Sequence, residues 1–204
     1  MSRRRRATVL GITGGIACGK SEVGRILARH GVAVCDADDL AHAAMQPGGA
    51  AYRPVLREFG PGLRDAEGRI DRRRLGRMVF ADPAARARLN ELVHPAVALE
   101  RARWLRRTLR TRRVAAVIVP LLYEVKAEAG CSAVVCVATP RPEALRRLRQ
   151  RGLSVREAAQ RIRAQMPLRE KRRRADHVIE NNGTKRELER KTLRVLKTIL
   201  KEGA

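Results

Sequence analysis

Aromatic side chains are nearly missing: the 204 residues include one Trp, two Tyr and two Phe. A core must then rest on Ala, Val, Leu and Ile, and there is little to stack on single-stranded bases. Cysteine is sparse too. The four stand at 18, 35, 131 and 136, with no CxxC pair and no Cys/His cluster at zinc-finger spacing. That pattern excludes a disulfide scaffold; with no secretory signal read, reduced thiols in the cytoplasm are the simplest expectation. No apolar run approaches about 18 residues, so no membrane span is predicted. Acidic residues are the minority, 21 against 45 Lys plus Arg, for a net charge of +24.

Such a charge suggests polyanionic partners: nucleic acid, acidic lipid or a phosphorylated small molecule. The basic residues are spread along many segments, however, and biased genome composition also yields Arg-rich chains. No specific nucleic-acid partner is predicted. The run Arg3–Arg6 reads as a solvated basic terminus, because Ala7–Thr13 already has strand character.

What the chain does have is a strand running into glycine. Thr8–Thr13 (TVLGIT) is short, apolar and β-branched, and Gly14-Gly15 follow. Gly14, four residues, then Gly19-Lys20-Ser21 is the spacing of a phosphate-binding loop. Such a turn aims backbone N–H groups at one point, and the helix dipole adds positive potential there. Gly15 and Gly19 allow backbone that a side chain would hinder. Lys20 reaches toward β- and γ-phosphates, and the Ser21 hydroxyl suits Mg²⁺. Cys18 is read as a small residue turned away from the ligand, and Glu22 as pointing outward.

The helix from Ser21 ends at Gly31, and a strand Val32–Cys35 follows. This βαβ unit predicts parallel strands that are neighbours in one sheet or close to it. Asp36-Ala37-Asp38 comes next. In an extended segment residues two apart share a side, so both carboxylates would face one crevice. One would hold Mg²⁺ through water and the other accept the proton of an attacking hydroxyl. The alternative is that an Asp caps a helix over 39–46. From 39 to 113 the pattern is mostly helical and too long for a simple crossover, so it reads as an insertion that seats a substrate, with breaks at Pro47-Gly48-Gly49, Gly60-Pro61-Gly62, Asp82-Pro83 and His94-Pro95. His94 either lines an acceptor pocket or marks a helix break.

Continuous apolar runs return at Val114–Val119, Ala133–Ala138 and His177–Ile179, as strands covered on both faces. Between the last two lies an Arg-rich helical stretch, 141–174, with Ser154 and Glu157 as a capping box. Arg146, Arg147, Arg149 and Arg151 read either as a lid that steadies phosphoryl charge or as a solvated face; Arg147 and Arg151, one turn apart, would share a side. Thr184–Lys201 reads as a closing amphipathic helix. The sum is an α/β three-layer sandwich of about five parallel strands, with ligands beyond the strands' C-terminal ends. The nucleotide core comprises 7–38, 114–140 and 175–204, with the insertion at 39–113 and the lid at 141–174.

Together "LGITGGIACGKSEV", "VAVCDADDLA", "LVHPAV", "VIVPLLYE", "SVREAAQRIRAQ" and "ADHVIENNG" resemble the dephospho-coenzyme A kinase family of P-loop kinases, in that family's order and over nearly the whole chain. The resemblance implies transfer of the ATP γ-phosphoryl group to the ribose 3′-hydroxyl of dephospho-CoA, the last step of coenzyme A synthesis, with Mg²⁺. It implies ATP contacts from Gly14 and Gly15, from Ala17 through Cys18, Gly19, Lys20 and Ser21 to Glu22, and from the loop Asn181, Asn182 and Gly183. It implies Asp38 as general base, Arg147 as a phosphate-contacting lid residue, and a role beside substrate for His94 and Arg151. Metal contacts fall to Ser21 and Asp36. The partners are then ATP and the small-molecule acceptor, with a monomer or small homo-oligomer in the cytoplasm. Other small-molecule or nucleoside kinases of this architecture, and a nucleotide-regulated nucleic-acid-binding protein, are the competing readings. The family commonly has GSGKST where this chain has Ala17-Cys18-Gly19-Lys20-Ser21-Glu22.

Overall fold

The computed structural model describes residues 7–202, so the Arg3–Arg6 run lies outside the described residues. Five strands form one sheet: β1 (Thr8–Gly14), β2 (Ala33–Asp36), β3 (Val114–Ile118), β4 (Ala133–Ala138) and β5 (His177–Glu180). All pairings are parallel and the spatial order is β2-β3-β1-β4-β5. The strands coincide with the apolar runs because each is covered on both faces and has no need to alternate polarity. β1 and β2 are parallel but not adjacent, since β3 inserts between them: Ile12 pairs with Ile118, and Asp36 pairs with Ile118 from the other side.

One face of the sheet carries α1 (Lys20–Arg29) and α9 (Lys185–Glu202). Leu10, Ile12, Ile118, Val135, Val137 and Ile179 meet Val23, Ile26 and Leu27 of α1 and Leu188 and Ile199 of α9 in one buried cluster. α1 ends as expected. Gly31 takes a left-handed φ of 82°, and its N–H donates to the Ala28 carbonyl. At the head of α9 Thr184 and Glu187 bond each other's backbone N–H groups, a capping box that the sequence reading overlooked. On β1 and β4 packs α8 (Leu168–Arg174), preceded by α6 (Arg141–Gln150) and α7 (Val155–Arg163). Ser154 and Glu157 form the predicted capping box of α7. The core contains Ala, Val, Leu and Ile almost throughout, with Tyr123 the one buried aromatic ring among the described residues.

The chain divides into two compact units. One combines residues 1–36 with 105–204, and the other spans Ala37–Trp104. The second contains α2 (Ala37–Ala44), α3 (Tyr52–Phe59), α4 (Arg72–Ala81) and most of α5 (Pro83–Thr108). Val55, Leu63, Leu75, Val79 and Val93 form its own core. Asp71 caps α4 by accepting from the N–H groups of Arg73 and Arg74. Gly60 closes α3 at φ 92°. His94-Pro95 is no break: α5 runs 26 residues with Pro95 inside it. Proline removes one helical donor, and a helix this long retains enough other bonds to continue through.

Candidate active site

β1 delivers the chain into the turn at Gly14, whose φ is 141°. A side chain there would collide with the Val137 backbone of β4. Gly19 ends the turn as the residue before α1, left-handed at φ 95°, where a side chain would overlap the amide of Asn181. These two positions, rather than Gly15, demand glycine for their dihedral angles. At Gly15 the constraint is space, because a Cβ would lie 2.8 Å from Cys18 Sγ. Ala17 adopts φ 58°. A left-handed residue with a Cβ costs about 1–2 kcal/mol, so something around the loop holds it in place.

That support comes from the side chains of Asn181, Thr139 and Arg147. The Asn181 side-chain amide donates to the Cys18 carbonyl at 2.8 Å, and the Thr139 hydroxyl donates to the same carbonyl at 3.3 Å. Thr139 also lies 2.9 Å from the Asn181 carbonyl. Arg147 donates from one Nη to the Ala17 carbonyl at 3.2 Å and from the other to the Asn181 carbonyl at 3.4 Å. The methyl of Ala17 packs with Leu148 of α6 and Ala158 of α7. Thr139, at the exit of β4, and Asn181, after β5, are buried, so their bonds to the loop are shielded from water. With these carbonyls occupied from outside, the turn is fixed where α1 begins, at a helix end whose first N–H groups lack intrahelical partners.

Lys20 Nζ donates to the carbonyls of Gly15 at 2.8 Å and Gly14 at 3.3 Å. Its ammonium therefore sits at the lip of the turn. Ser21 is exposed on the first turn of α1. Glu22 is turned into an ion pair with Arg25 along the same helix, consistent with its reading as an outward residue. Cys18 is 1% exposed, so its thiol is packed below the loop while its carbonyl takes the loop's bonds.

Asp36 closes β2, and Ala37 already begins α2. The extended segment assumed for Asp36-Ala37-Asp38 is therefore a strand-to-helix junction, and the same-side argument for the two carboxylates does not apply. Asp38 is also not a cap of a helix over 39–46. With Asp39 it lies in the first turn of α2, where the dipole favours a carboxylate. His94 is half-buried on α5, and burial lowers its pKa.

On α6, Arg146 and Arg147 both bond Glu143. Arg146 reaches it at 2.7 Å and Arg147 at 2.8 Å, and these bonds, Arg146's first, hold the carboxyl at about 2. Arg147 is the member that also touches the loop. Arg149 is exposed, and Arg151 is the C-cap residue beyond the last turn, so the helical spacing to Arg147 no longer sets its direction. Asn182 and Gly183 are exposed after β5, and Asn182 Oδ1 accepts from Lys191 at 3.2 Å. The sequence reading gave Thr139 no role of its own, and it missed Lys171, a fully buried ammonium on α8. A Thr at a strand exit, in the same crevice as the glycine turn, was the available signal for the first. Nothing in "LREKRRR" distinguishes the second from its exposed neighbours.

The cradle fits a nucleotide phosphate chain. It has glycines where no Cβ fits, a lysine on the turn's carbonyls and the N-terminus of α1 at its end. Ser21 and Asp36 supply hard oxygen donors of the kind Mg²⁺ takes, with phosphates and water completing its shell.

The sequence profile of the Dephospho-CoA kinase family matches residues 8–187. The dephospho-CoA kinase of Geobacter sulfurreducens is 46% identical over 187 residues, covering 90% of this chain and 94% of that protein. The crystal structure of TT1252 from Thermus thermophilus superposes with a TM-score of 0.78 at 38% identity, covering 97% of this chain and 98% of that one. The dephospho-CoA kinase of Campylobacter jejuni gives a TM-score of 0.71 at 27% identity, covering 96% and 98%. Sequence and fold agree along nearly the full length, and the chain belongs to the dephospho-CoA kinase family.

Proposed function

We propose that this enzyme transfers the γ-phosphoryl group of ATP to the ribose 3′-hydroxyl of dephospho-CoA, giving CoA and ADP. The observation that carries the reading is the braced turn between β1 and α1: Gly14 and Gly19 without room for a side chain, Cys18 and Ala17 held by Asn181, Thr139 and Arg147. A loop fixed in this way grips a triphosphate without reorganising, and phosphoryl transfer is mostly positioning and charge. Membership of the family supports the choice of acceptor.

In this reading the N–H groups of residues 15–21 hold the β- and γ-phosphates. Lys20 turns from the carbonyls of Gly14 and Gly15 to phosphate oxygens, forming charge-assisted hydrogen bonds. Arg147 stands with a guanidinium already on the loop and turns toward the transferring group. Asp38, just beyond the exit of β2, accepts the proton of the attacking hydroxyl. Asn182 and Gly183 lie beside the adenine. His94 and Arg151 serve the acceptor, with residues 39–113 as its seat and 141–174 as the lid. Ser21 and Asp36 would hold Mg²⁺, which would supply positive charge against the negative charge that develops on the transferring group. Among the described residues no helix is long and apolar enough to cross a membrane, in keeping with work in the cytoplasm as a monomer or small homo-oligomer.

A coupled ADP-release assay with dephospho-CoA, adenosine and mononucleotides as acceptors tests the reading. Turnover with dephospho-CoA well above the others is expected. A preference for a nucleoside or mononucleotide would move the protein to another kinase class.

A further inference from the structure

Lys171 is the largest fully buried side chain of the described residues, in a helix whose last turn is otherwise basic and exposed. An ammonium taken out of water loses several kcal/mol unless its donors are met. Here they are met by two groups. Nζ lies 2.9 Å from Glu124 Oε1, and it donates to the carbonyl of Pro120. Both partners belong to the turn that follows β3. The same two acceptors reach further. The Pro120 carbonyl also receives the hydroxyl of Thr13 at 3.3 Å, and Thr13 is the residue before the glycine turn. Glu124 Oε1 also receives the backbone N–H of Met166 at 2.8 Å, in the connection between α7 and α8.

Lys171 thus joins three segments: the end of β1 at Thr13, ahead of the phosphate loop, the exit turn of β3, and the base of the α6–α7 segment. Stability alone does not account for an ammonium at this point. Well-packed apolar side chains commonly replace a buried ion pair with no loss, whereas directed bonds from a charged group fix where their acceptors lie. The segments it fixes end at the crevice beyond the C-terminal ends of β1 and β3, where the transferring phosphoryl group lies in the proposed reaction.

We propose that Lys171, paired with Glu124, is a positioning residue: it sets the β3 exit turn and the lid base against the phosphate loop, in register for phosphoryl transfer. This rests on the kinase reading above. Ground-state grip on ATP comes from the loop N–H groups, which Asn181, Thr139 and Arg147 brace independently. Loss of Lys171 therefore reduces kcat while leaving ATP affinity nearly intact.

Two variants of the full chain test this: Lys171→Met, and Lys171→Met combined with Glu124→Gln. The double variant removes both charges, retains volume, and keeps an oxygen for the Met166 N–H. Tm, kcat, KM for ATP and direct ATP binding are measured for each. Lys171→Met is expected to lose about tenfold or more in kcat, the scale of a small misplacement of reacting groups, with ATP binding little changed and a lowered Tm. In the double variant Tm recovers toward wild type, because no carboxylate is left without its partner, while kcat stays depressed. Recovery of kcat together with Tm would overturn the proposal, as would near-wild-type kcat in either folded variant, or a loss confined to ATP binding. If neither variant folds, the pair is a determinant of folding and the proposal is likewise overturned. A wild-type enzyme inactive on dephospho-CoA would instead count against the kinase reading.

Discussion

Lys20 donates to the carbonyls of Gly14 and Gly15. Truncating it to Ala removes a partly exposed side chain rather than a core one, so the fold survives while the phosphates lose a charge. Lys20→Ala is expected to retain the wild-type Tm and to lose about 10²–10³-fold in turnover; steady-state kinetics beside a melting curve decide it, and normal turnover would take the loop out of the mechanism. Asp38 carries a separate prediction. Asp38→Asn keeps the shape of the first turn of α2 and removes the base, so kcat falls by about 10²–10⁴-fold with ATP affinity unchanged. Unchanged kcat would leave Asp38 a helix-terminal carboxylate only. The loop residues were legible because their spacing is their function. Asn181 was legible only as part of a family motif, for its real contact, to Cys18, joins positions far apart in sequence.

The elements show where local pattern ends. Five strands were readable because apolar runs stop at Gly, Pro or Asn, but their order was not, since parallel neighbours come from distant segments: β3 separates β1 from β2. The junction at Asp36-Ala37-Asp38 was read as extended because no glycine or proline marks the turn; the helix begins at once instead. The break expected at Pro95 failed because a residue type decides less than 26 residues of continuous helix. At this scale α6 carries a pH prediction. Glu143 has its carboxyl held at about 2 by hydrogen bonds from Arg146 and Arg147. A depressed carboxyl contributes stability above its unfolded value of 4.5 and loses it as pH falls toward about 2. Between those limits α6 is expected to hold its arginines in place, releasing them near the lower one. A carboxyl titration of Glu143 by NMR checks this, and a midpoint near 4.5 would show the Arg pairing to be absent in solution. The side chain is partly exposed, so salt will weaken the effect.

The whole molecule carries +24, with 45 basic residues against 21 acidic. Ion pairs such as Arg29 with Glu189 and Arg174 with Glu128 engage some of the acids, and the basic residues outnumber the acidic ones by 24, a surplus that repels itself. Screening that repulsion is expected to raise Tm by about 2–4 °C between 0.05 and 0.5 M NaCl, equivalent to about 1 kcal/mol; a falling Tm in calorimetry would mean that attractive pairs dominate. The composition made the charge obvious and its purpose obscure, since charge alone cannot tell a polyanion-binding protein from an Arg-rich enzyme. In the proposed reaction, as the bond from the γ-phosphorus of ATP to ADP breaks, one bond forms, between that phosphorus and a ribose oxygen of dephospho-CoA. Phosphorus NMR of a reaction mixture of enzyme, ATP, Mg²⁺ and dephospho-CoA observes that bond directly. A new phosphomonoester signal coupled to the ribose H3′, growing in step with ADP, is the predicted result; ADP accompanied only by inorganic phosphate, or no change at all, would contradict it.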